Sequence, residues 1–466
     1  MWHWMGAPEY QAARFAVTHL LALTYLIGFV CFLRQFRGLL GERGLTPVAR
    51  FVDRVPFGRA PSLFHFRCSD RWLAGAAWTG VAASLLAQVA DLAPVWAWVA
   101  LWALLWLLYS SIVNVGQIWY GFGWESLLLE AGFLAMFLGP THISPPAPIL
   151  WLLCWLLFRV EFGAGLIKLR GDSCWRDLTA LHYHHETQPM PGPLSRAFHR
   201  LPPSLHKVEV LANHGTQLVV PFLLFAPQPV ATAPAVIIVV TQLWLMLSGN
   251  FAWLNFLTIT LAFAAVGGPA GPPSDPPGWF AVLVLAVTAL FVVLAYWPVR
   301  NMVGRGQVMN RSFNRLHLGN TYGAFGSITR VRYEVVVLGA ATPDGPWREY
   351  GFKGKPGDPA RRPPQVAPYH LRLDWLLWFV AISPSYGRGW LPRFLRTLLL
   401  GERPVLDLLG HNPFPDHPPA VVRADLYRYR FSSAEERRAT GHHWTRSRAS
   451  DLIPPLTLDD VEDAFG

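Results

Sequence analysis

The residues of this sequence best suited to chemistry lie in one stretch. Arg159, Glu161 and Lys168 stand inside or at the edge of an apolar run, and the loop that follows carries Arg170, Asp172, Arg176, Asp177, His182, His184, His185 and Glu186 before breaking at Pro189, Pro191 and Pro193. Charge at membrane depth is costly and is retained for a purpose. A lysine desolvated there has its pKa lowered toward neutrality and can serve as a base, which makes Lys168 the catalytic candidate and Glu161 or His214 its tuner. Spacing argues for a blander role. Glu161 and Lys168 are seven residues apart and share a helix face, whereas Arg159 points away from Glu161 and needs a carboxylate from another helix, Glu125 or Glu130. Gly163 and Gly165 admit a neighbouring helix closely, which favours structural ion pairs and tight packing over a roomy pocket.

The other polar clusters carry weaker signals. Glu209, Asn213 and Gln217 recur at i+4 with His214 alongside, a stripe better explained by hydrogen bonding between helices than by a cavity lining. His182, His184, His185 and Glu186 are metal-ligand types without the i,i+4 spacing of a zincin, so no metal site is expected. The chain has no GxSxG elbow, no Walker loop, no HExxH and no kinase set, and Gly319, Gly323 and Gly326 lack a following helix, so no cofactor is expected either. Cys31 and Cys154 lie in apolar segments; Cys68 and Cys174 lie in loops, where a disulfide requires an oxidising compartment.

These residues must be positioned by a membrane protein. Of 466 residues 52% are hydrophobic and 15% charged, with 22 Trp and a mean hydropathy of +0.28; soluble chains carry about a quarter charged residues. The net charge of +10 is spread over loops and tails with no nucleic-acid motif, so lipid headgroups are the expected partner and nucleic acid is not. About nine apolar segments approach the roughly 20 residues that span a bilayer, near 15–33, 72–90, 94–113, 119–139, 149–169, 208–226, 233–249, 251–267 and 279–297. The first lacks the flanks and cleavage site of a signal peptide and is read as a retained span. Eight arginines between residues 34 and 71 argue by the positive-inside rule for a cytoplasmic loop, with the N-terminus outside.

Beyond about residue 298 the pattern changes. Val331, Tyr333, Val335 and Val337 alternate with Arg330, Arg332, Glu334 and Val336, the period of a half-buried strand. Asp344-Gly345-Pro346 is a turn signal, Trp347 to Phe352 returns as a partner strand, and Tyr427, Tyr429 and Phe431 alternate with Arg428 and Arg430. The segment Trp375 to Ile382 is too short to span and is expected in the membrane interface with its tryptophans as anchors. The expected fold class is an α-helical polytopic membrane protein with about nine transmembrane helices over 1–300, a small C-terminal antiparallel β domain over 318–435, and a mobile tail over 436–466.

Several of these stretches carry a resemblance. Gly163-Ala-Gly-Leu-Ile-Lys-Leu-Arg-Gly-Asp-Ser-Cys-Trp-Arg-Asp-Leu-Thr, Glu186-Thr-Gln-Pro-Met-Pro, Ser248-Gly-Asn and Leu254-Asn-Phe-Leu-Thr, followed by Tyr322-Gly-Ala-Phe-Gly-Ser-Ile-Thr, Tyr350-Gly-Phe-Lys-Gly-Lys-Pro, Arg372-Leu-Asp-Trp and Asn412-Pro-Phe-Pro, resemble the lipase maturation factor family in order. The resemblance covers roughly residues 100–435 and marks Arg170, Gly171, Asp172, Trp175, Arg176, Asp177, His184, Glu186, Thr187, Gln188 and Pro189 as its motif loop. It implies a chaperone of the endoplasmic reticulum membrane that assists a secreted lipase or another hydrolase client, held within residues 320–430. It also implies a lumenal terminal domain, against the charge count. The Ala, Arg and Pro bias suggests a bacterial member in the cell membrane. More faintly, the helical part resembles the domain shared with vitamin-K-dependent carboxylases, and this alternative would be a membrane enzyme with Lys168 as base.

Overall fold

A computed structural model describes residues 2–272 and 274–465 of the protein. Five of its helices are long and apolar enough to cross a membrane: Pro8–Leu39, Val95–Val115, Ala147–Arg170, Pro203–Phe225 and Gly278–Val303. Their limits are written in the sequence. Pro94, Pro146, Pro202 and Pro277 stand at the N-caps of four of them, where a missing N–H costs nothing, and Gly116, Gly171 and Gly304 stop three.

Within the bundle we label α1 Gln11–Leu39, α2 Asp70–Ala87, α3 Val95–Val115, α4 Gly123–Ala135, α5 Ala147–Arg170, α6 Leu181–Thr187, α7 Pro203–Leu218, α8 Thr232–Ser248, α9 Leu254–Ala262 and α10 Gly278–Leu294. The expected nine spans are not reached by length and composition. The segment at 119–139 breaks into a short 3-10 turn and the 13-residue α4, α8 and α9 are short, and α2 is not among the five long apolar helices. α1 packs on α2, α4 and α9, and α5 packs on α4, α7, α9 and α10. Buried rings also seat α3 on α1: Tyr109 of α3 meets Tyr25 and Phe29 of α1 edge-on at 5.6 and 5.4 Å.

The connections gather at two ends of the bundle. At one, Thr141 N donates to Asp91 O, Ser144 N to Ser274 O and Gly268 N to Glu9 O. At the other lie the arginine-rich loop and the whole C-terminal domain: Arg393 donates to Leu45 O, and Asp172, just past α5, donates its N–H to Gly326 O. The loop and the domain therefore share one side of the membrane.

The C-terminal domain is a four-stranded antiparallel sheet in the order β2-β1-β3-β4, with β1 Arg332–Ala340, β2 Arg348–Glu349, β3 Val421–Phe431 and β4 Trp444–Leu456. Three expectations need correction. The sheet does not stop at 435: β4 pairs with β3 from Phe431↔Trp444 to Val422↔Leu456, so most of the supposed mobile tail is an edge strand followed by the helix Leu458–Phe465, and Gly466 lies outside the described residues. The segment 375–382 does form a helix, α11 Arg372–Ile382, but Trp375 is buried against Trp124 at 5.1 Å rather than anchored in lipid. A half-buried β1 would turn Arg332 and Glu334 to solvent; instead they are 1% and 0% exposed, because this face of the strand meets the bundle. All four cysteines are free thiols.

Candidate functional site: the seam between bundle and sheet domain

The intramembrane charges do not converge on a cavity. They form buried nodes that fasten the C-terminal domain to the helices. Arg159 of α5 pairs with Glu130 of α4, the second of the two partners its helical phase demanded. The pair is closed by the chain entering the sheet domain: Arg159 donates to Asn320 O at 2.8 Å, while Asn320 Nδ2 and Tyr322 Oη donate to Glu130 Oε2 at 2.8 and 2.9 Å. A side chain at Gly163 would collide with the Tyr322 carbonyl oxygen, so glycine is what lets this segment lie against α5.

Glu125, one turn earlier on α4, serves a second node. Arg372 at the start of α11 meets Glu125 Oε1 at 2.7 Å and donates to Trp119 O at 2.5 Å, its guanidinium lying 3.5 Å from the Tyr120 ring centroid. Tyr109 donates to the other carboxylate oxygen at 2.5 Å. Gln35 of α1 completes the attachment, accepting from Arg372 N at 3.0 Å and donating to His370 O at 2.7 Å.

The motif loop forms the third node. Arg332 of β1 pairs with Glu334 and donates to the carbonyls of Glu186, Gln188 and Pro189, with Lys355 Nζ 2.9 Å from the far oxygen of Glu334. Glu186 accepts from Phe431 N at 2.7 Å; burial pushes its carboxyl pKa up. Thr187 O accepts from Trp378 Nε1 at 3.0 Å. Gln188 donates to Ser248 O, and Asn250 spans Pro191 O, Pro364 O, Val366 N and Ala367 N. Further along, Asp172 accepts two bonds from Arg330 at 2.7 and 2.8 Å and one from Ile328 N. The Arg330 guanidinium holds its carboxyl well below the usual range. Trp175 donates to Phe325 O, Arg170 to Gly304 O and Arg176 to Leu169 O, while Asp177 is exposed and Gly171 ends α5. His184 is buried beside Phe325, and burial, with Lys168 nearby, lowers its pKa to about 3.

The residues of the enzyme alternative border this node at Trp175. Lys168 donates to Asn213 Oδ1 at 2.9 Å and Gln217 Oε1 at 2.8 Å and lies 4.7 Å from the Trp175 ring centroid; Glu161 accepts from Gln242 Nε2, which is itself held by Asn255. The two share a face as their spacing required, but each ends on neutral amides of α7 and α8 rather than on the other. His214 Nε2 bonds Trp175 O at 3.0 Å and does not reach Lys168 through any hydrogen bond. Among the described residues, no group of three or more His, Cys, Asp or Glu is arranged to hold a metal ion.

Sequence reasoning missed Asn320, Arg332, Glu334, Lys355 and Arg372 as parts of this site. One signal was available: Arg332 and Glu334 are opposite charges two apart on a strand, hence on one face, and a lone exposed strand gains little from such a pair. Asn320 and Arg372 gave none, since their partners come from helices 190 and 247 residues earlier in the chain.

The stretches that form the seam are those that match known proteins. The lipase maturation factor transmembrane domain model matches residues 12–269 and the lipase maturation factor C-terminal domain model matches residues 318–454. Lipase maturation factor 1 of Bos taurus is 39% identical across 99% of this chain and 92% of its own length, and that of Homo sapiens is 39% identical across 97% and 89%. Lipase maturation factor 2 of Homo sapiens is 27% identical across 94% and 82%. These relatives are vertebrate proteins and lend no support to a bacterial assignment, and none supports the carboxylase-like alternative. No solved structure matches the chain. With both domain models in order and identity above a third over nearly the full length, this integral membrane protein belongs to the lipase maturation factor family.

Proposed function

We propose that this protein is a membrane-embedded maturation factor that holds a secreted client, a lipase by the names of its relatives, on its sheet domain until the client is folded or assembled. The observation that carries this reading is the full-length match to lipase maturation factor 1. The geometry is consistent with holding rather than turnover. The buried charges at the seam meet one another or backbone and fix the posture of the sheet domain, while Lys168 and Glu161 are held by the side-chain amides of Asn213, Gln217 and Gln242. The client-facing region is proposed within residues 320–430, where Tyr333, Ile382 and Tyr386 are exposed apolar or aromatic positions clear of the seam.

The proposed location is the endoplasmic reticulum membrane with the sheet domain on the lumenal side, where secreted clients fold. The arginine-rich loop must then be lumenal too, against the positive-inside tendency. Reporter fusions after residues 60 and 330 are expected to give the same answer, lumenal; two cytoplasmic signals would sink the proposed location. Function is tested by photo-crosslinking from Tyr333 and Tyr386 in intact secretory cells expressing a lipase. Adducts with newly made lipase support the reading, and adducts that are unchanged when lipase expression is removed count against it.

A further inference from the structure

A cleft of about 710 Å³ lies away from the seam, between the outer faces of α2 and α3. Its long wall is one face of α2, Trp72, Gly75, Ala76 and Thr79, at helical spacing, and Leu108 of α3 closes the other side. Gly75 is exposed and a side chain there would meet no atom within 4 Å, so this part of the wall has room for a ligand. The flanks are apolar and unpartnered: Trp78 is 62% exposed and Leu85 and Leu86 are more than half exposed, the surface of a bundle bathed in acyl chains.

One end of the cleft is different in kind. Arg67 and Arg71 line it, both exposed, and neither has a carboxylate within ion-pair distance or a hydrogen-bond partner among the described residues. The Arg67 guanidinium lies over the ring of Trp72, another residue of the cleft, at 5.0 Å. The neighbouring carboxylates are occupied with each other's backbone: Asp70 accepts from Glu42 N at 2.9 Å and Glu42 accepts from Asp70 N at 3.2 Å. This end lies at the start of α2, on the side of the bundle that carries the sheet domain, where headgroups stand.

We propose that this cleft binds an anionic glycerophospholipid from the bilayer, an acyl chain lying along Trp72, Gly75 and Thr79 and the phosphate and its negative headgroup meeting Arg67 and Arg71. Two arginines in reach of one headgroup match a negative lipid better than a zwitterionic one, whose ammonium they repel. The volume falls in the range of pockets that bury most of a small ligand. This site is independent of client binding, because no residue of it belongs to the sheet domain.

The test uses the full chain in nanodiscs holding equal phosphatidylglycerol and phosphatidylcholine, with retained lipids read by native mass spectrometry after release into detergent. Wild-type protein is expected to keep one phosphatidylglycerol in preference to phosphatidylcholine. Arg67→Ala and Arg71→Ala are each expected to lower that preference by about fivefold. Gly75→Trp, or Thr79→Trp where the first is not recovered folded, is expected to expel the lipid at an unchanged melting temperature. Arg54→Ala with Arg59→Ala, on the same loop but outside the cleft, is the control. If that control lowers the preference as much as the cleft pair, or if Gly75→Trp and Thr79→Trp retain the lipid, the attraction is diffuse surface charge and the proposal fails.

Discussion

Replacing Glu130 by Leu removes the carboxylate on which four groups of three residues converge: the Arg159 guanidinium, Asn320 N, Asn320 Nδ2 and Tyr322 Oη. Arg159 is 1% exposed and keeps a single other acceptor, Asn320 O. Stranding one member of a buried pair costs about 3–5 kcal/mol, most of it the unpaired charge left behind. Removing the charge as well, in Glu130→Leu with Arg159→Met, should therefore recover about 2 kcal/mol, although Asn320 N and Tyr322 Oη still lack an acceptor. Thermal unfolding in detergent is expected to show a drop of roughly 3–5 °C for the single variant and a smaller one for the double. Proteolysis between residues 304 and 320 should accelerate in the same order, because this node holds the entry to the sheet domain. Equal melting temperatures for wild type and Glu130→Leu, or a double variant worse than the single by the full cost of a second lesion, would refute the idea that the pair is a docking node.

Three further outcomes follow from the same geometry. Lys168→Met leaves the amide oxygens of Asn213 and Gln217 without their donor, about 1–3 kcal/mol each if nothing rearranges, so it should lower yield and melting temperature together; a folded, fully stable variant with no maturation activity would restore the enzyme reading. Gly163→Leu forces the Tyr322 carbonyl away from α5 and should loosen the sheet domain more than it destabilises the helices, seen as faster amide exchange confined to residues beyond 318; uniform exchange changes would contradict this. Burial lowers the pKa of His184 to about 3 and of His199 to about 4, below the roughly 6.5 of an unfolded histidine. The unfolded chain then binds more protons below that value, so the stability these groups contribute is complete above pH 6.5 and is lost progressively as pH falls toward 4. A melting temperature that stays flat from pH 7 to pH 5 is the outcome that argues against buried, neutral imidazoles.

Local patterns foretold local structure well. The apolar runs at 15–33, 149–169 and 279–297 each sit inside a long apolar helix and that at 94–113 matches another to within a residue, while β1 begins one residue after Val331 and its return strand shrinks to Arg348–Glu349. The helical phase of Arg159 even named Glu130 as a candidate partner. What failed was anything set by the contact between the two domains. Arg332 and Glu334 looked solvent-facing because alternation reports one buried face, and the second face of β1 is buried by a loop 140 residues away. Trp375 and Trp378 looked like interface anchors because exposure of aromatic residues in a short amphipathic helix is the common case; here Trp124 and the Thr187 carbonyl claim them. The charged tail after 435 looked mobile, yet Arg446 and Arg448 are strand residues whose carboxylate partners, Glu349 and Asp425, lie on β2 and β3. The opening cluster was legible as a set of costly charges, but its role was not, since a docking node and an active site draw on the same residue types.

The proposed function is maturation of a secreted client by holding it, with the buried charges structural. The direct measurement is secreted lipase activity per lipase molecule in cells that lack their own lipase maturation factor and express this chain. Wild type should restore the activity, and Lys168→Met should restore it in proportion to the folded protein present. No rescue by a well-expressed, folded wild type, or abolition by Lys168→Met at an undiminished folded level, would contradict the account.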